Sequence, residues 1–175
     1  PSLPLRVGVA ARVDSAAWHD FHDELVRSGH GFAVTLADTR VQGDTAVPMV
    51  AGAVGTLARL DLDVIVVIRG GGARNELAVF DAEPIARTIA TSPVPVLTGL
   101  GHEIDRSVAD EVAHLALKTP TACAGELVNR VSAYLDTAEA HWDGILRRAG
   151  DIVDHSLFDL ADRAHRVARR THAAV

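Results

Sequence analysis

Five consecutive β-branched residues, Val64-Ile65-Val66-Val67-Ile68, run directly into Arg69-Gly70-Gly71-Gly72. Branching at Cβ favours extended backbone, and the absence of any polar alternation means that neither face of this strand meets water. A strand covered on both faces belongs in a parallel sheet sandwiched by helices. A second apolar run, Val94 to Leu97, empties into Thr98-Gly99-Leu100-Gly101-His102-Glu103-Ile104-Asp105, and Ala82 to Ala90 between the two runs reads as a crossover helix. In open α/β sheets ligands bind outside the carboxyl ends of the strands, so these two glycine-rich turns are where chemistry is expected.

The flanking sequence extends the pattern. Leu5 to Ala11 reads as a first strand, and Asp14 or Ser15 as the cap of a helix that aligns Trp18, Phe21 and Leu25 and stops at Gly29. Phe32 to Ala37 is a second strand with Asp38 to Asp44 as its loop, followed by a helix capped by Thr45 that carries Val47, Val50, Val54 and Leu57 inward. Asp81 is the expected cap of the helix bearing Ile85 and Ile89. The predicted class is therefore α/β: an open, mostly parallel Rossmann-like sheet of four strands in βαβαβαβ order, with helices on both faces. Loops after all four strands share one edge, which brings Arg12, Asp44, Arg69 and His102 toward one another.

After Thr121 the strand pattern ends. Val131, Leu135, Ala138, Trp142, Ile145, Ala149 and Ile152 recur at four and three, and a second seam, Val153, Leu157, Leu160, Ala164 and Val167, resumes one residue later. The reading is an α/β domain over residues 1–120 and one long amphipathic helix over 121–175, the start of a coiled coil or else an ordinary amphipathic helix on the domain surface. Gly144 and Gly150 weaken that helix by up to roughly 1 kcal/mol each. The apolar stretch Ala46 to Ala58 is too short for a membrane span, no signal-peptide pattern is visible behind Pro1, and the single Cys123 excludes an internal disulfide framework. A reducing, cytoplasmic setting without membrane contact is expected.

Arg69 can clamp a phosphate with two parallel hydrogen bonds, while Gly70, Gly71 and Gly72 allow backbone N–H groups close to an anion. The competing reading is a tight turn with a surface arginine. His102 at a strand end can act as proton donor, base or nucleophile, since it accepts and donates a proton near neutral pH. Asp105 can orient its ring, or can simply cap a helix from Arg106 to Ala113. Asp44 can hold a metal or an attacking water, or merely begin the next helix. No P-loop and no G-x-G-x-x-G spacing occurs.

Together, Thr39-Arg40-Val41-Gln42-Gly43-Asp44, Arg69-Gly70-Gly71-Gly72, Gly101-His102-Glu103-Ile104-Asp105, Ala109-Asp110 and Thr119-Pro120-Thr121 resemble the catalytic domain of the exodeoxyribonuclease VII large-subunit family over most of residues 5 to 130. The resemblance implies hydrolysis of single-stranded DNA to oligonucleotides from both the 5′ and 3′ ends. Its functional positions fall on Asp44, Arg69, His102 and Asp105, with Gly70, Gly71, Gly72, Thr119 and Thr121 as substrate-binding positions. It implies no obligatory cofactor; Mg²⁺ is optional, with Asp44, Glu103 and Asp105 as candidate ligands. It also implies small-subunit partners on the C-terminal helix, which offers self-association too, and an N-terminal OB-fold outside this sequence. Ala73-Arg74-Asn75-Glu76-Leu77-Ala78 departs from the family's usual Ser-Leu-Glu-Asp-Leu-Trp, removing a tryptophan on which a base could stack. Thr119 to Glu126 is one residue longer than the usual pattern.

The formal charge of −6, with Lys118 the only lysine, opposes DNA binding by bulk electrostatics. It suits the alternative better: a Rossmann-like module that binds a nucleotide or phosphorylated metabolite without cleaving DNA. An interaction protein built around the C-terminal helix is a third reading.

Overall fold

The structure, a computed structural model, describes residues 3–71, 74–101 and 106–172. Five parallel strands, β1 (Arg6–Ala11), β2 (Ala33–Asp38), β3 (Val64–Ile68), β4 (Val96–Gly99) and β5 (Leu115–Leu117), form one sheet in the order β2-β1-β3-β4-β5. β3 is central and buried along its whole length, as its unbroken β-branched run requires. Its register places Val66 beside Val9 on one side and Leu97 on the other. The fifth strand is an addition to the four expected. Leu-Ala-Leu is too short to announce itself by periodicity, and it pairs because β4 otherwise leaves an open ladder at the sheet edge.

Helices cover both faces. On one, Phe21 and Leu25 of α1 (Ala16–Ser28) and Cys123, Ala124 and Leu127 of α5 (Pro120–His172) pack against Val7, Val9, Val64, Val66 and Leu97. On the other, Val50, Val54 and Leu57 of α2 (Ala46–Leu57) and Ile85 and Ile89 of α3 (Glu83–Ala90) meet Ala10, Ile65, Val67 and Val96. Phe80, from a 3₁₀ helix over Arg74–Asp81, and Ala109, from the short α4 (Val108–Val112), complete that second layer.

Helix ends follow local chemistry, with three differences from expectation. Ser15 caps α1, its hydroxyl accepting from the Trp18 N–H at 3.2 Å, and Gly29 closes the helix at φ +73°. Thr45 precedes α2 but makes no side-chain cap bond. Its backbone is already helical, whereas a capping side chain reaches the first turn from an extended residue. Asp81 ends the 3₁₀ helix, so the residue before α3 is Ala82; the Asp81 carboxylate instead accepts from the Val108 N–H of α4 at 2.9 Å. α4 itself is capped by Ser107 in a reciprocal capping box with Asp110, while Asp105, the expected cap, lies outside the described residues.

At the amino edge of the sheet, Arg6 donates from its backbone and guanidinium to Asp63, at 2.7 and 2.8 Å, and also pairs with Asp61. The Arg6 hydrogen bonds hold the Asp63 carboxyl below its ordinary range. The compact unit containing the sheet extends from Pro1 to Ser132, and Ala133–Val175 forms a second unit. Within that second unit the heptad positions Leu135, Trp142, Ile145, Ile152, Leu157 and Leu160 are all exposed. No helix of the described residues is long and apolar enough to cross a membrane.

The start of α5 is fitted tightly to the end of β4. A Cβ on Gly99 would lie 2.6 Å from Cys123 Sγ and 3.0 Å from the Thr119 carbonyl oxygen. Gly99→Ala is therefore expected to destabilise the domain by about 1–3 kcal/mol. Adding Cys123→Ala should restore only part, because the Thr119 backbone remains in the way; full recovery in denaturant titrations would contradict this packing. Burial, with Asp110 and Glu126 nearby, pushes the Cys123 thiol up from 9.0 to about 12. The folded state thus keeps a proton that the unfolded chain releases. The associated stability is intact below pH 9 and falls as the pH rises toward 12. Wild type should lose stability relative to Cys123→Ala across that interval, by up to about 1.4 kcal/mol per pH unit; parallel pH profiles would refute the assignment.

Candidate active site

The strand order reverses between β1 and β3: the chain leaves β1 outward to β2, then returns past β1 to build β3, β4 and β5. Such a reversal opens a crevice at the carboxyl ends of the two strands. A cavity of about 260 Å³ lies there. Arg12 and Ser15 line it from the loop after β1, Val41 and Gln42 from the loop after β2, and Arg69 and Gly70 from the end of β3. Three segments far apart in sequence meet because parallel strands deliver all their loops to one edge.

Arg69 borders this cavity yet is only 1% exposed, which removes the reading of it as a surface arginine. Its backbone N–H donates to the Gly99 carbonyl at 3.2 Å, and its Nη1 approaches the Leu100 carbonyl at 3.5 Å. A guanidinium cannot shed its proton, so burying one is costly unless acceptors or anions surround it. Gly70 and Gly71 lack positive φ, and a Cβ on Gly70 would meet nothing nearer than Ala17 Cβ at 3.7 Å. Packing among the described residues therefore does not demand glycine at either position. What glycine gives here is unobstructed backbone on the cavity side. Gly72 lies outside the described residues.

The β4 turn comes back over the β3 turn. Gly101 has φ +85°, a conformation that favours glycine, and its Cβ position lies 3.8 Å from the Arg69 carbonyl oxygen and 3.9 Å from that of Gly70. The residue immediately before His102 is thus seated against Arg69 and Gly70. His102, Glu103 and Asp105 lie outside the described residues. Asp44 is exposed, one residue past Gly43, which lines a neighbouring opening with Arg12 and Arg40. Among the described residues no group of three or more His, Cys, Asp or Glu side chains gathers as a metal site.

Thr119 and Thr121 lie beside the β4 end with an architectural task visible. The Thr119 hydroxyl accepts from the Ala122 N–H at 3.0 Å, capping α5, and lies 2.9 Å from the Thr121 hydroxyl. Sequence reasoning missed a buried network beneath the β4 turn. Thr98 donates to Asp110 Oδ1 at 2.5 Å, and Asp110 Oδ2 accepts from the backbone and hydroxyl of Ser107 at 3.0 and 2.8 Å. Thr98 immediately precedes the turn and Ser107 follows it, so one carboxylate ties both flanks of the 99–106 segment together. The Ser-x-x-Asp spacing of Ser107 and Asp110, a capping-box pattern, was the available signal.

Comparison with known proteins agrees with this geometry. The family model for exonuclease VII, large subunit, matches residues 1–174. The chain is 41% identical over 137 residues to the exodeoxyribonuclease 7 large subunit of Vibrio parahaemolyticus, covering 78% of this chain and 31% of that protein. It is 37% identical over 171 residues to the large subunit of Syntrophotalea carbinolica, covering 97% of this chain and 42% of that protein. The Aliivibrio fischeri large subunit is 38% identical over 173 residues, with 97% and 38% covered. The chain therefore spans less than half the length of these relatives. With a family match along nearly its whole length, and with the glycine-rich turns of that family meeting at the switch point of its sheet, the chain belongs to the exonuclease VII large-subunit family.

Proposed function

We propose that this chain is the catalytic part of an exodeoxyribonuclease that hydrolyses single-stranded DNA to oligonucleotides from both ends. The observation that carries the reading is the seating of the β4 turn on Arg69 and Gly70 at the rim of the switch-point cavity. That contact supports a phosphate site and a proton-transfer site side by side, which is what phosphodiester hydrolysis requires.

In this mechanism Arg69 and the N–H groups of the glycine turn hold the scissile phosphate and take up the charge that builds on its oxygens. A water oxygen forms the new bond to phosphorus as the bridging P–O bond breaks. His102 moves the protons, accepting from the water or donating to the leaving oxygen, and Asp105 orients its ring. Asp44 positions the water. Asp44, Glu103 and Asp105 would hold a Mg²⁺ ion where one is used, and that ion would supply charge neutralisation on the phosphate. Thr119 and Thr121 contribute substrate contacts from the start of α5. The exposed apolar seam beyond Ser132 receives small subunits, with self-association through the same seam, and the full protein acts in the cytoplasm.

The test is cleavage of end-labelled single-stranded DNA by the full-length protein with its small subunits. His102→Ala should slow cleavage by a factor of about 10² to 10⁴. Parallel reactions in EDTA separate a metal-requiring reaction from one that proceeds without it. Equal rates for both proteins would remove His102 from the mechanism. Absence of cleavage by wild type in the assembled complex would overturn the nuclease reading and leave a nucleotide-binding module in its place.

A further inference from the structure

Among the described residues, Arg12 and Arg40 form no ion pair. Arg6, Arg27, Arg87, Arg106, Arg130 and Arg166 are each in an ion pair with a carboxylate. The exposed guanidinium groups of Arg12 and Arg40 make no hydrogen bond or ion pair with any described residue. They nevertheless stand together. Both line an opening of about 420 Å³ with Val41, Gln42 and Gly43, and no carboxylate of the described residues lines it. They also share an opening of about 500 Å³ with Asp14 and Asp38. Asp38 accepts there from the Val13 N–H at 2.8 Å, so one of its oxygens is already engaged by the backbone.

The loops bearing the two arginines are held in place. The Thr39 N–H donates to the Ala11 carbonyl at 2.9 Å, so each arginine is one residue beyond the last bond of the β1–β2 ladder, and Thr39 is buried. Arg12 also lines the switch-point cavity with Arg69. Strand order therefore sets the three arginines in a row along the carboxyl edge: Arg69 after β3, Arg12 after β1, Arg40 after β2. Neighbouring strands are about 4.8 Å apart, so a polyanion laid across the strand ends meets them in turn.

We propose that Arg12 and Arg40 form a second phosphate subsite, which grips the DNA backbone phosphate adjacent to the one held at Arg69. The inference deepens the nuclease reading above and rests on it. A chain carrying a net charge of −6 draws little from bulk electrostatics, so its hold on a nucleic-acid backbone comes from local pairs of this kind.

The experiment uses the full-length protein with its small subunits and end-labelled oligo-dT, with KM followed over a series of salt concentrations. Arg12→Gln combined with Arg40→Gln should raise KM about tenfold and reduce the slope of log(1/KM) against log[salt] by about 0.7, the change for one phosphate contact on a single strand. Arg12→Lys with Arg40→Lys should recover most of the slope, since a point charge suffices for it. Arg59→Gln, which removes one positive charge after α2, should leave KM and slope at wild-type values. Because both side chains are exposed and unbonded, the glutamine variant should keep the wild-type melting temperature. Cleavage by wild type with KM and slope unchanged in the double glutamine variant would overturn the subsite alone. A KM increase that the lysine variant fails to reverse would also overturn it. Wild type that neither binds nor cuts the strand would overturn subsite and nuclease reading together.

Discussion

The pairing of β3 with a neighbour on each side fixes almost everything else in the molecule. Val64 to Ile68 are buried on both faces, so β3 can exist only inside a parallel sheet with a helix layer above and below. That requirement forces the helical crossovers, and the crossovers send every strand in the same direction. The site is a by-product of this arrangement. Once all strands run one way, their carboxyl-end loops share an edge. The reversal of order between β1 and β3 then leaves a gap there, walled by Arg12 and Gln42 on one side and Arg69 and Gly70 on the other.

What was legible in the sequence followed from local pattern. The β-branched run, the three-and-four spacing of Val47, Val50, Val54 and Leu57, and the Gly29 stop each reflect forces acting over a few residues. The structure bears them out, along with the sheet class, the helices on both faces and the long C-terminal helix. What escaped was set by partners distant in sequence. Asp81 carries a normal capping side chain, but its carboxylate is taken by a donor 27 residues later, at Val108. β5 is three residues long and exists because β4 offers an unpaired ladder. An arginine following a strand ordinarily projects into water; Arg69 is covered because the β4 turn folds back over it, a contact 31 residues away. Among the candidate site residues, the structure brings Arg69 and Gly70 to the segment leading into His102 and sets Thr119 and Thr121 at the cap of α5.

Stability and site geometry are coupled through the end of β4. Gly99 is closed in by Cys123 and the Thr119 backbone, and Thr98 by Asp110. Two residues later Gly101 adopts its left-handed conformation over Arg69 and Gly70. Between Thr98 and Gly101 the chain thus passes from a packed core strand to a turn whose shape only glycine accepts readily. Asp110 serves both purposes, capping α4 and anchoring Thr98. A buried carboxylate is expensive unless its oxygens are hydrogen-bonded, and here both are, by three donors from two residues. Replacing any of these groups removes a constraint on the turn without touching a substrate-facing atom.

The negative charge of the chain becomes intelligible on the same geometry. Carboxylates are spread over the surface and pair with several of the arginines, as with Arg6, Arg87 and Arg130. Exposed pairs of that kind contribute little to stability, but they leave uncompensated positive charge at fewer places. One such place is the carboxyl edge of β1 and β2, next to the buried guanidinium of Arg69. If Arg12 and Arg40 form the proposed phosphate subsite, a chain with a net charge of −6 holds a strand there by local contacts rather than by general DNA affinity. The sheet supplies the order of the loops, and the ion pairs elsewhere supply the contrast.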